Sequence, residues 1–496
     1  MRISLRLLAS GAALTLLAGA ARAQSITSDE YASRRAAVVA RLPENSALVA
    51  LGAPEPVEDF LSFNQASPFM YLTGFREPEA GLVVTKKAGR VASTLFVPAR
   101  NPAAEVWTGA RVGVEGARAA TGLAARVNDD FDRVVDSLAA AGTPLFIVGF
   151  FGDPESRVLT RDAQRLAALK AKYPSLSIAD ATGAIEQARG KKSPAELALL
   201  RRAVDITVLA QREAARALEP GMNEFELQAL IEYTFRRQGA DRPGFSTIVG
   251  SGPNSTTLHY NRDDRFIQAG ELVVMDIGAS AKGYTADVTR TYPASGIFTP
   301  AQRDIYQIVR DAQKAAETRA TPGTPWRTVD SAATATIAAG LARVGLIEAP
   351  NATYDCDMGG QRGSCPQYRL YYMHGLGHGI GLDVHDPEQF YYTQRIAEGS
   401  AFTIEPGIYV RANTIEIIDD TPRNRAVKER IRAAVAKYAN TGVRIEDDYV
   451  VGPNGTEWIS RAPREIEEVE ALMRETFAGP VARDPKLVDW YREGSR

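Results

Sequence analysis

The four histidines of the chain are His259, His374, His378 and His385, and none lies near either end of the sequence. Three of them fall in one glycine-rich run, residues 373–386. Histidine is the commonest metal ligand in proteins and carries protons near neutral pH. Because the sequence uses histidine nowhere else, we predict that this region holds the chemistry of the protein.

Four carboxylates lie in or at the ends of strand-like segments that are otherwise mostly apolar. Asp276 interrupts the apolar run 271–278, and Asp287 lies within the run 284–292, whose β-branched and aromatic content is typical of a strand. A hairpin between these runs could bring the two aspartates side by side, and adjacent carboxylates repel unless a cation lies between them. Glu405 ends another apolar run, and Glu446 lies inside a further one. Metal binding is the natural way to keep such carboxylates ionised.

Together with one histidine, these carboxylates form a ligand set that suits Mn²⁺, Co²⁺ or Zn²⁺ in a two-metal site. Period-two alternation also places Arg444, Glu446 and Asp448 on one strand face. Each residue has an ordinary structural reading when taken alone. An aspartate in a strand is usually a turn or edge residue, Glu405 could mark a strand end, and His259 or His374 could be a core histidine. Their joint occurrence favours the metal site, because several strands each bury a carboxylate without an obvious partner.

The first 23 residues differ in composition from the rest of the chain. Arg2 and Arg6 precede an apolar run, residues 7–20, which ends in a small-residue pattern at 21–23. A charged start, a hydrophobic middle and such a cleavage site are typical of a secretory signal peptide. We expect cleavage before Gln24, no stable membrane span, and export to a bacterial periplasm; an uncleaved anchor is the alternative.

The only cysteines are Cys356 and Cys365. In an oxidising compartment two nearby cysteines predict a disulfide that closes a small loop. Two thiols alone are too few ligands for a structural metal site. The formal net charge of −2 gives no basic face for nucleic acid.

The length favours two or three domains. Short β-type runs at 47–51, 81–85 and 145–148 alternate with helical patterns, which predicts an α/β domain over residues 26–180.

A second domain is predicted over residues 190–472, followed by a tail at 473–496. Ser193, Pro194 and Glu196 form a capping-box signal for a helix that runs to about residue 218. Further helices are predicted at 223–238, 429–438 and 465–477.

The ordered set Asp276, Asp287, His378, Glu405 and Glu446 resembles the dinuclear metallopeptidases of the pita-bread fold. Within them the chain looks like the Xaa-Pro aminopeptidase (aminopeptidase P) branch, with proline dipeptidases next. The segments that carry the resemblance are 247–252, 258–260, 275–278, 287–291, the histidine run, 404–409 and 444–448, with 69–80 and 105–109 in the first domain.

This resemblance implies an α/β chain with a smaller N-terminal α/β domain and a C-terminal α+β pita-bread (creatinase/aminopeptidase-like) catalytic domain. It implies two divalent ions, Mn²⁺ first with Co²⁺ or Zn²⁺ as alternatives. Asp276 would chelate one ion, Asp287 and Glu446 would bridge both, and His378 and Glu405 would hold the second.

The resemblance also implies the roles of the residues around the metals. Glu405 would accept the proton of the attacking water, and His259 and His385 would hydrogen-bond the peptide and its developing oxyanion. The pocket around the substrate proline would be lined by His374, Tyr409 and Arg444. In a homo-oligomer, either dimer or tetramer, Trp107 would reach a neighbouring subunit's active site.

The expected activity is hydrolysis of the bond before a proline at the second position of peptides. A proline dipeptidase is the alternative, and a non-catalytic peptide-binding protein on the same fold is a remote one. Creatinase-type members lack the metal ligands, whereas all five positions are filled here. Two segments, 350–367 and 412–441, are longer than in short members of the family and could reshape the substrate entrance.

Overall fold

The computed structural model describes residues 26–58, 61–152, 158–357, 359–387 and 394–482. The predicted signal peptide and most of the predicted C-terminal tail fall outside these ranges. The chain divides into two compact units, Met1–Arg189 and Gly190–Arg496. Within the ranges described, no helix is long and apolar enough to cross a membrane.

The first unit is built on a mixed six-stranded sheet. The central strand Ser46–Leu51 is buried along its whole length and pairs antiparallel with Gly81–Lys87 and parallel with Leu145–Val148. The sheet is completed by Arg90–Val97, Ala124–Val127 and Ile178–Asp180. The helices of this unit are Ser28–Ala40, Ser67–Thr73, Glu105–Thr108, Gly113–Thr121, Phe131–Ala140, Arg161–Lys172 and Thr182–Arg189.

The second unit opens with the predicted capping box. The Ser193 side chain accepts a hydrogen bond from the Glu196 backbone, Pro194 is the first helical residue, and the helix Pro194–Ala217 follows. Its companions are Glu224–Arg237, Pro300–Glu317, Trp326–Arg343, Thr414–Ile417, Pro422–Tyr438 and Ile466–Met473. The predicted start of this unit's first helix is therefore confirmed.

Two predicted helices have different bounds in the structure. The helix expected at 429–438 begins at Pro422, where Thr421 caps it by accepting from the Asn424 backbone. Thr-Pro is a recognised start signal, but the first helical turn has no apolar residue after Pro422, and the apolar spacing begins only at Val427. The closing helix ends at Met473, four residues before the predicted end.

Small antiparallel sheets of the second unit carry the candidate site. Leu272–Ile277 pairs with Val288–Pro293 and Ile248–Ser251, and Ala401–Ile404 pairs with Asp447–Gly452. Gly407–Val410 pairs with Thr441–Arg444. The remaining strands are Arg242–Pro243, Ala279–Ala281, Tyr284–Thr285, Thr353–Asp357, Arg362–Pro366 and Gly455–Trp458. One large apolar core lies between these strands and the helices.

Candidate metal centre

One cavity of about 210 Å³ in the second unit collects the residues singled out from the sequence. All four histidines line it, together with the four strand carboxylates and Arg444. The full lining is Leu258, His259, Asp276, Asp287, His374, Gly375, Gly377, His378, His385, Glu405, Arg444 and Glu446.

The strand pair 272–277 and 288–293 positions the two aspartates. In its antiparallel register Asp276 lies opposite Thr289, and Ile277 lies opposite Val288. Asp287 therefore lies immediately before its strand, two positions beyond the residue opposite Asp276. Two positions along a strand return to the same face, so both carboxylates lie on one face, as the predicted hairpin requires. Both side chains are nearly buried, at 7% and 5% exposure.

Three carboxylates surround the Nε2 atom of His378. Asp287 Oδ2 lies 3.5 Å from it, Glu405 Oε1 lies 3.4 Å from it, and Glu446 Oε1 lies 3.9 Å from it. One ligand atom each from Asp287, His378 and Glu446 falls within a span of 4.8 Å. This separation suits ligands that share a single metal ion.

Electrostatics in this cluster call for a cation. Burial, with the nearby His385, lowers the pKa of His378 to about 3, so its imidazole is neutral. The His378 Nδ1 atom lies 3.0 Å from the Gly379 carbonyl oxygen, a contact that requires the proton on Nδ1. The Nε2 lone pair then faces carboxylate oxygens, and this arrangement is repulsive. Either a bound metal ion or added protons would relieve the repulsion.

The ionised form of the carboxylates is also unfavourable when no cation is bound. Burial and the charges of Glu446 and Asp276 raise the pKa of Asp287. Burial raises the pKa of Glu446 as well, and raises that of Glu405 to about 8. Oδ1 of both aspartates and Oε1 of Glu446 are buried without a hydrogen-bond partner among the described residues. Oxygens of this kind fit a divalent cation, which would satisfy them.

A chain of hydrogen bonds runs along one wall of the cavity. Arg444 donates to Asp276 Oδ2 at 2.5 Å and to the Tyr409 hydroxyl at 2.8 Å. The same hydroxyl lies 2.8 Å from Nε2 of His374. Burial and the charge of Arg444 lower the pKa of His374 to about 3, so this wall carries its positive charge on Arg444.

The loop that carries His259 is anchored at both ends by Glu224. This buried carboxylate accepts hydrogen bonds from Ser251 N at 2.7 Å, the Tyr260 hydroxyl at 2.8 Å and Arg265 N at 3.0 Å. His259 itself is exposed at the mouth of the cavity. The position of this histidine therefore depends on a carboxylate that does not line the cavity.

Asp263, in the same loop, should make the stability of the protein depend on pH. Burial, opposed by a hydrogen bond from Val249 N, raises its pKa to about 7. An unfolded aspartate has a pKa of about 3.9, so stability should fall as the pH rises from about 4 to about 7. Replacing Asp263 with Asn should remove this loss, so the change in stability should be more favourable at pH 8 than at pH 4 by about 4 kcal/mol. Urea unfolding at both pH values measures the difference.

The asparagine is a suitable test residue at this position. Asp263 has a φ of 47°, which asparagine tolerates better than most residues. Its Oδ1 can still accept from Val249 N, while Oδ2 has no hydrogen-bond partner in the described chain. Equal stabilisation or destabilisation at pH 4 and pH 8 would contradict the buried-charge explanation.

The remaining predicted residues lie in three places. His385 is exposed, and its ring centroid is 4.1 Å from that of His378. Trp107 lies in the first unit and is 77% exposed. Cys356 and Cys365 form a disulfide across the hairpin of Thr353–Asp357 and Arg362–Pro366.

Sequence reasoning missed two threonines that support the ligands, and it did not say what Asp448 contacts. Thr289 donates to Glu446 Oε2 at 2.6 Å, and Thr403 donates to Glu405 Oε1 at 3.3 Å. Asp448 Oδ2 accepts from Asp287 N at 3.1 Å. Each threonine stands two residues from a candidate ligand, so period-two alternation could have pointed to both.

Gly377 is also needed next to the ligands. A Cβ at this position would lie 2.2 Å from the Thr403 carbonyl oxygen. Only glycine therefore lets the His378 segment pack against the strand Ala401–Ile404.

Two family models match the chain. The model for metallopeptidase family M24 matches residues 198–453, and the model for the aminopeptidase P N-terminal domain matches residues 31–146. The Xaa-Pro aminopeptidase of Escherichia coli (strain K12) is 33% identical over 464 residues, which cover 90% of this chain and 98% of that protein.

Solved structures show the same similarity. The Pseudomonas aeruginosa aminopeptidase PepP superposes with a TM-score of 0.74 at 32% identity, covering 91% of this chain and 98% of that one. A zinc-substituted E. coli aminopeptidase P in complex with product superposes with a TM-score of 0.73 at 30% identity, covering 90% and 98%.

Proposed function

The chain belongs to metallopeptidase family M24, and from this we propose that it is a metal-dependent Xaa-Pro aminopeptidase. It is a hydrolase that removes the first residue of peptides whose second residue is proline. The likeness to solved aminopeptidases P confirms the predicted fold class, an N-terminal α/β domain followed by a pita-bread domain. The full-length match to Xaa-Pro aminopeptidases favours this activity over proline dipeptidase and over a non-catalytic binding protein.

The observation that carries the proposal is the cluster of Asp287, His378 and Glu446. Their ligand atoms lie within 4.8 Å of one another, and buried oxygens of both acids have no other partner in the described chain. We assign Asp276 and Glu405 to the same centre because both line the cavity. Five ligands of this type fit a pair of divalent ions, which supply Lewis-acid activation of water and of the scissile carbonyl.

Glu405 is the residue best placed to move a proton. Its Oε1 lies 3.4 Å from His378 Nε2, and its Oε2 lies 3.7 Å from His374 Nδ1. It is less buried than Glu446, so it can face both the ions and the substrate. We assign to it the proton of the attacking water, which it passes to the leaving proline nitrogen.

His259 and His385 are the two exposed histidines of the cavity. Both line it, so both can reach a peptide that is bound there. We assign them hydrogen bonds to the peptide backbone and to the oxyanion that develops on the scissile carbonyl.

Proline recognition falls to His374, Tyr409 and Arg444. An Xaa-Pro bond has no N–H, so a proline site reads the ring by its shape. The hydrogen bonds from Arg444 to Tyr409 and between Tyr409 and His374 hold this wall rigid. A rigid wall distinguishes a proline ring from a flexible side chain by steric fit.

We propose Mn²⁺ as the native ion, since four of the five ligands are carboxylates and hard oxygen ligands suit Mn²⁺. Metal-stripped protein reloaded with Mn²⁺ should cleave Ala-Pro-Ala-Ala-NH₂ and should leave Ala-Ala-Ala-Ala-NH₂ intact. Co²⁺ and Zn²⁺ are the comparison ions. Release of free alanine, followed by chromatography, gives kcat/KM for each peptide and each metal.

The dipeptide Ala-Pro separates the alternatives. Cleavage of the tetrapeptide supports an aminopeptidase, whereas cleavage of the dipeptide alone would identify a proline dipeptidase. If no peptide is cleaved with any of the three ions, the catalytic proposal fails and a binding protein is the remaining interpretation.

We also propose that the mature protein is exported to a bacterial periplasm and works there as a homo-oligomer. The signal-like start of the chain and the disulfide support export. N-terminal sequencing of protein from the periplasmic fraction should begin at Gln24, and an intact Met1 would count against cleavage.

A further inference from the structure

A second cavity of about 400 Å³ adjoins the metal cavity. Leu258 lines both cavities. Met373, which lines the second cavity, is the chain neighbour of His374, which lines the metal cavity. Its full lining is Thr256, Thr257, Leu258, Tyr354, Arg369, Leu370, Met373, Arg411 and Ile417. We call it the arginine cavity.

The arginine cavity is lined by two cations and no carboxylate. Most ion pairs of the chain are made by arginine, yet among the described residues neither Arg369 nor Arg411 is within ion-pair distance of an acid. The Nε of Arg411 is buried and has no hydrogen-bond partner in the described chain. Arg369 is exposed and lies 5.4 Å over the Tyr368 ring.

One carboxylate, that of Asp330, interacts electrostatically with Arg369 without forming an ion pair among the described residues. Burial raises the pKa of Asp330, and the charge of Arg369 lowers it. No ion pair joins the two within the described residues, so the guanidinium of Arg369 can still bind an anion that enters the cavity.

The two cavities differ in the charged groups that line them. The metal cavity holds four carboxylates, which the proposed pair of divalent ions would neutralise, whereas the arginine cavity holds two cations and no carboxylate and suits an anion. When the first peptide bond of a substrate lies at the metal centre, the residues that follow the proline must extend out of the metal cavity. Since Leu258 and Met373 flank the histidines of the metal cavity, the arginine cavity is the adjoining space for the residue after the proline.

We propose that the arginine cavity binds a carboxylate carried by the residue that follows the proline. Arg369 and Arg411 recognise the anion, and Leu258, Leu370 and Met373 contact the apolar part of that residue. The carboxylate is either the carboxyl terminus of a tripeptide or the side chain of an acidic residue. This inference rests on the proposed peptidase activity and adds a preference for the third residue of the substrate.

Four tripeptides separate the two sources of the carboxylate. Ala-Pro-Ala is compared with Ala-Pro-Ala-NH₂ for the carboxyl terminus, and Ala-Pro-Glu-NH₂ with Ala-Pro-Gln-NH₂ for the side chain. We expect kcat/KM to be about fivefold higher for the anionic member of at least one pair, as for a partly exposed charge pair. The preference should shrink as NaCl is raised, because salt screens exposed charges.

Substitution of the two arginines tests the assignment. The variant R369Q/R411Q should bring the ratio within each pair close to one, while its kcat/KM for the uncharged peptides stays near that of the wild type. R411K keeps the charge and should retain part of the preference. R432Q is the matched control, since Arg432 is an exposed arginine of the same unit that does not line the cavity.

The outcomes separate this inference from the proposed function. Cleavage of Ala-Pro-Ala-NH₂ without any preference for the anionic peptides overturns the carboxylate site and leaves the peptidase proposal intact. A preference that survives in R369Q/R411Q, or that is lost equally in R432Q, also overturns it. Failure to cleave any of the four peptides is a failure of the proposed function.

Discussion

Replacing Asp287 with Ala is expected to lower kcat/KM by at least about 10³-fold, a loss of ~4 kcal/mol of transition-state stabilisation. The Asp287 carboxylate is shared by the cluster, with Oδ2 3.5 Å from His378 Nε2 and Oδ1 buried without a partner in the described chain. Without it, the ligands left cannot hold two ions close together. Steady-state kinetics and elemental analysis of dialysed protein measure both effects.

In the metal-free protein, replacing Asp287 with Ala should not reduce stability. Burial and the charges of Glu446 and Asp276 raise the pKa of Asp287, so its charge is unfavourable without a cation. The unfolding midpoint of metal-free D287A should therefore equal or exceed that of the wild type. Added Mn²⁺ should stabilise the wild type by mass action and the variant much less.

The matched control for this prediction is D420A. Asp420 is an exposed carboxylate of the same unit, with a side-chain exposure of 64%. It should keep its activity and its metal content. Full turnover by D287A with two ions still bound would refute the assignment of Asp287 to the metal centre.

Replacing Arg290 with Met is expected to destabilise the protein by about 3–5 kcal/mol, as for the loss of one partner of a buried ion pair. Arg290 is completely buried and donates to Asp447 Oδ1 at 2.6 Å. It also donates to the Glu446 carbonyl oxygen at 2.7 Å and to the Ala462 carbonyl oxygen at 2.9 Å. Methionine is of similar size but leaves these acceptors without their donor. Chemical denaturation of metal-free protein measures the loss.

A second consequence distinguishes this arginine from an ordinary core residue. Because Arg290 holds the backbone at Glu446, R290M should also bind Mn²⁺ more weakly, which titration of folded variant detects. R425M is the control, since Arg425 pairs with Asp420 on the surface, and it should leave the unfolding midpoint nearly unchanged. An R290M protein as stable as R425M would show that the buried pair contributes little.

Much of the fold follows from local signals in the sequence. The helix Pro194–Ala217 begins where Ser193 and Glu196 form a capping box, and the buried strands of the first unit follow from short apolar runs bounded by turn residues. The helix Pro422–Tyr438 begins before its predicted start because its first turn carries only proline and polar residues, and its apolar spacing begins at Val427. Element ends are set by a few backbone hydrogen bonds, so they are the least predictable part of a fold.

The residues of the metal cavity could also be listed from the sequence, because buried carboxylates and clustered histidines are chemically unusual wherever they occur. Their supporting partners could not be listed in the same way. Thr289 and Thr403 are ordinary strand residues until the structure shows which carboxylate oxygen each one reaches. The same holds for Glu224, which anchors the His259 loop.

The sequence by itself determined the family, the fold class and the set of chemically active side chains, since these depend on residue types and short-range spacing. Only the tertiary structure decided how those side chains meet. It places His378 Nε2 against carboxylates from three separate segments, and it joins Arg369 and Arg411 in one cavity without an acid. The physical reason is that alternation and capping depend on neighbouring residues, whereas distances between strands depend on the packing of the whole core.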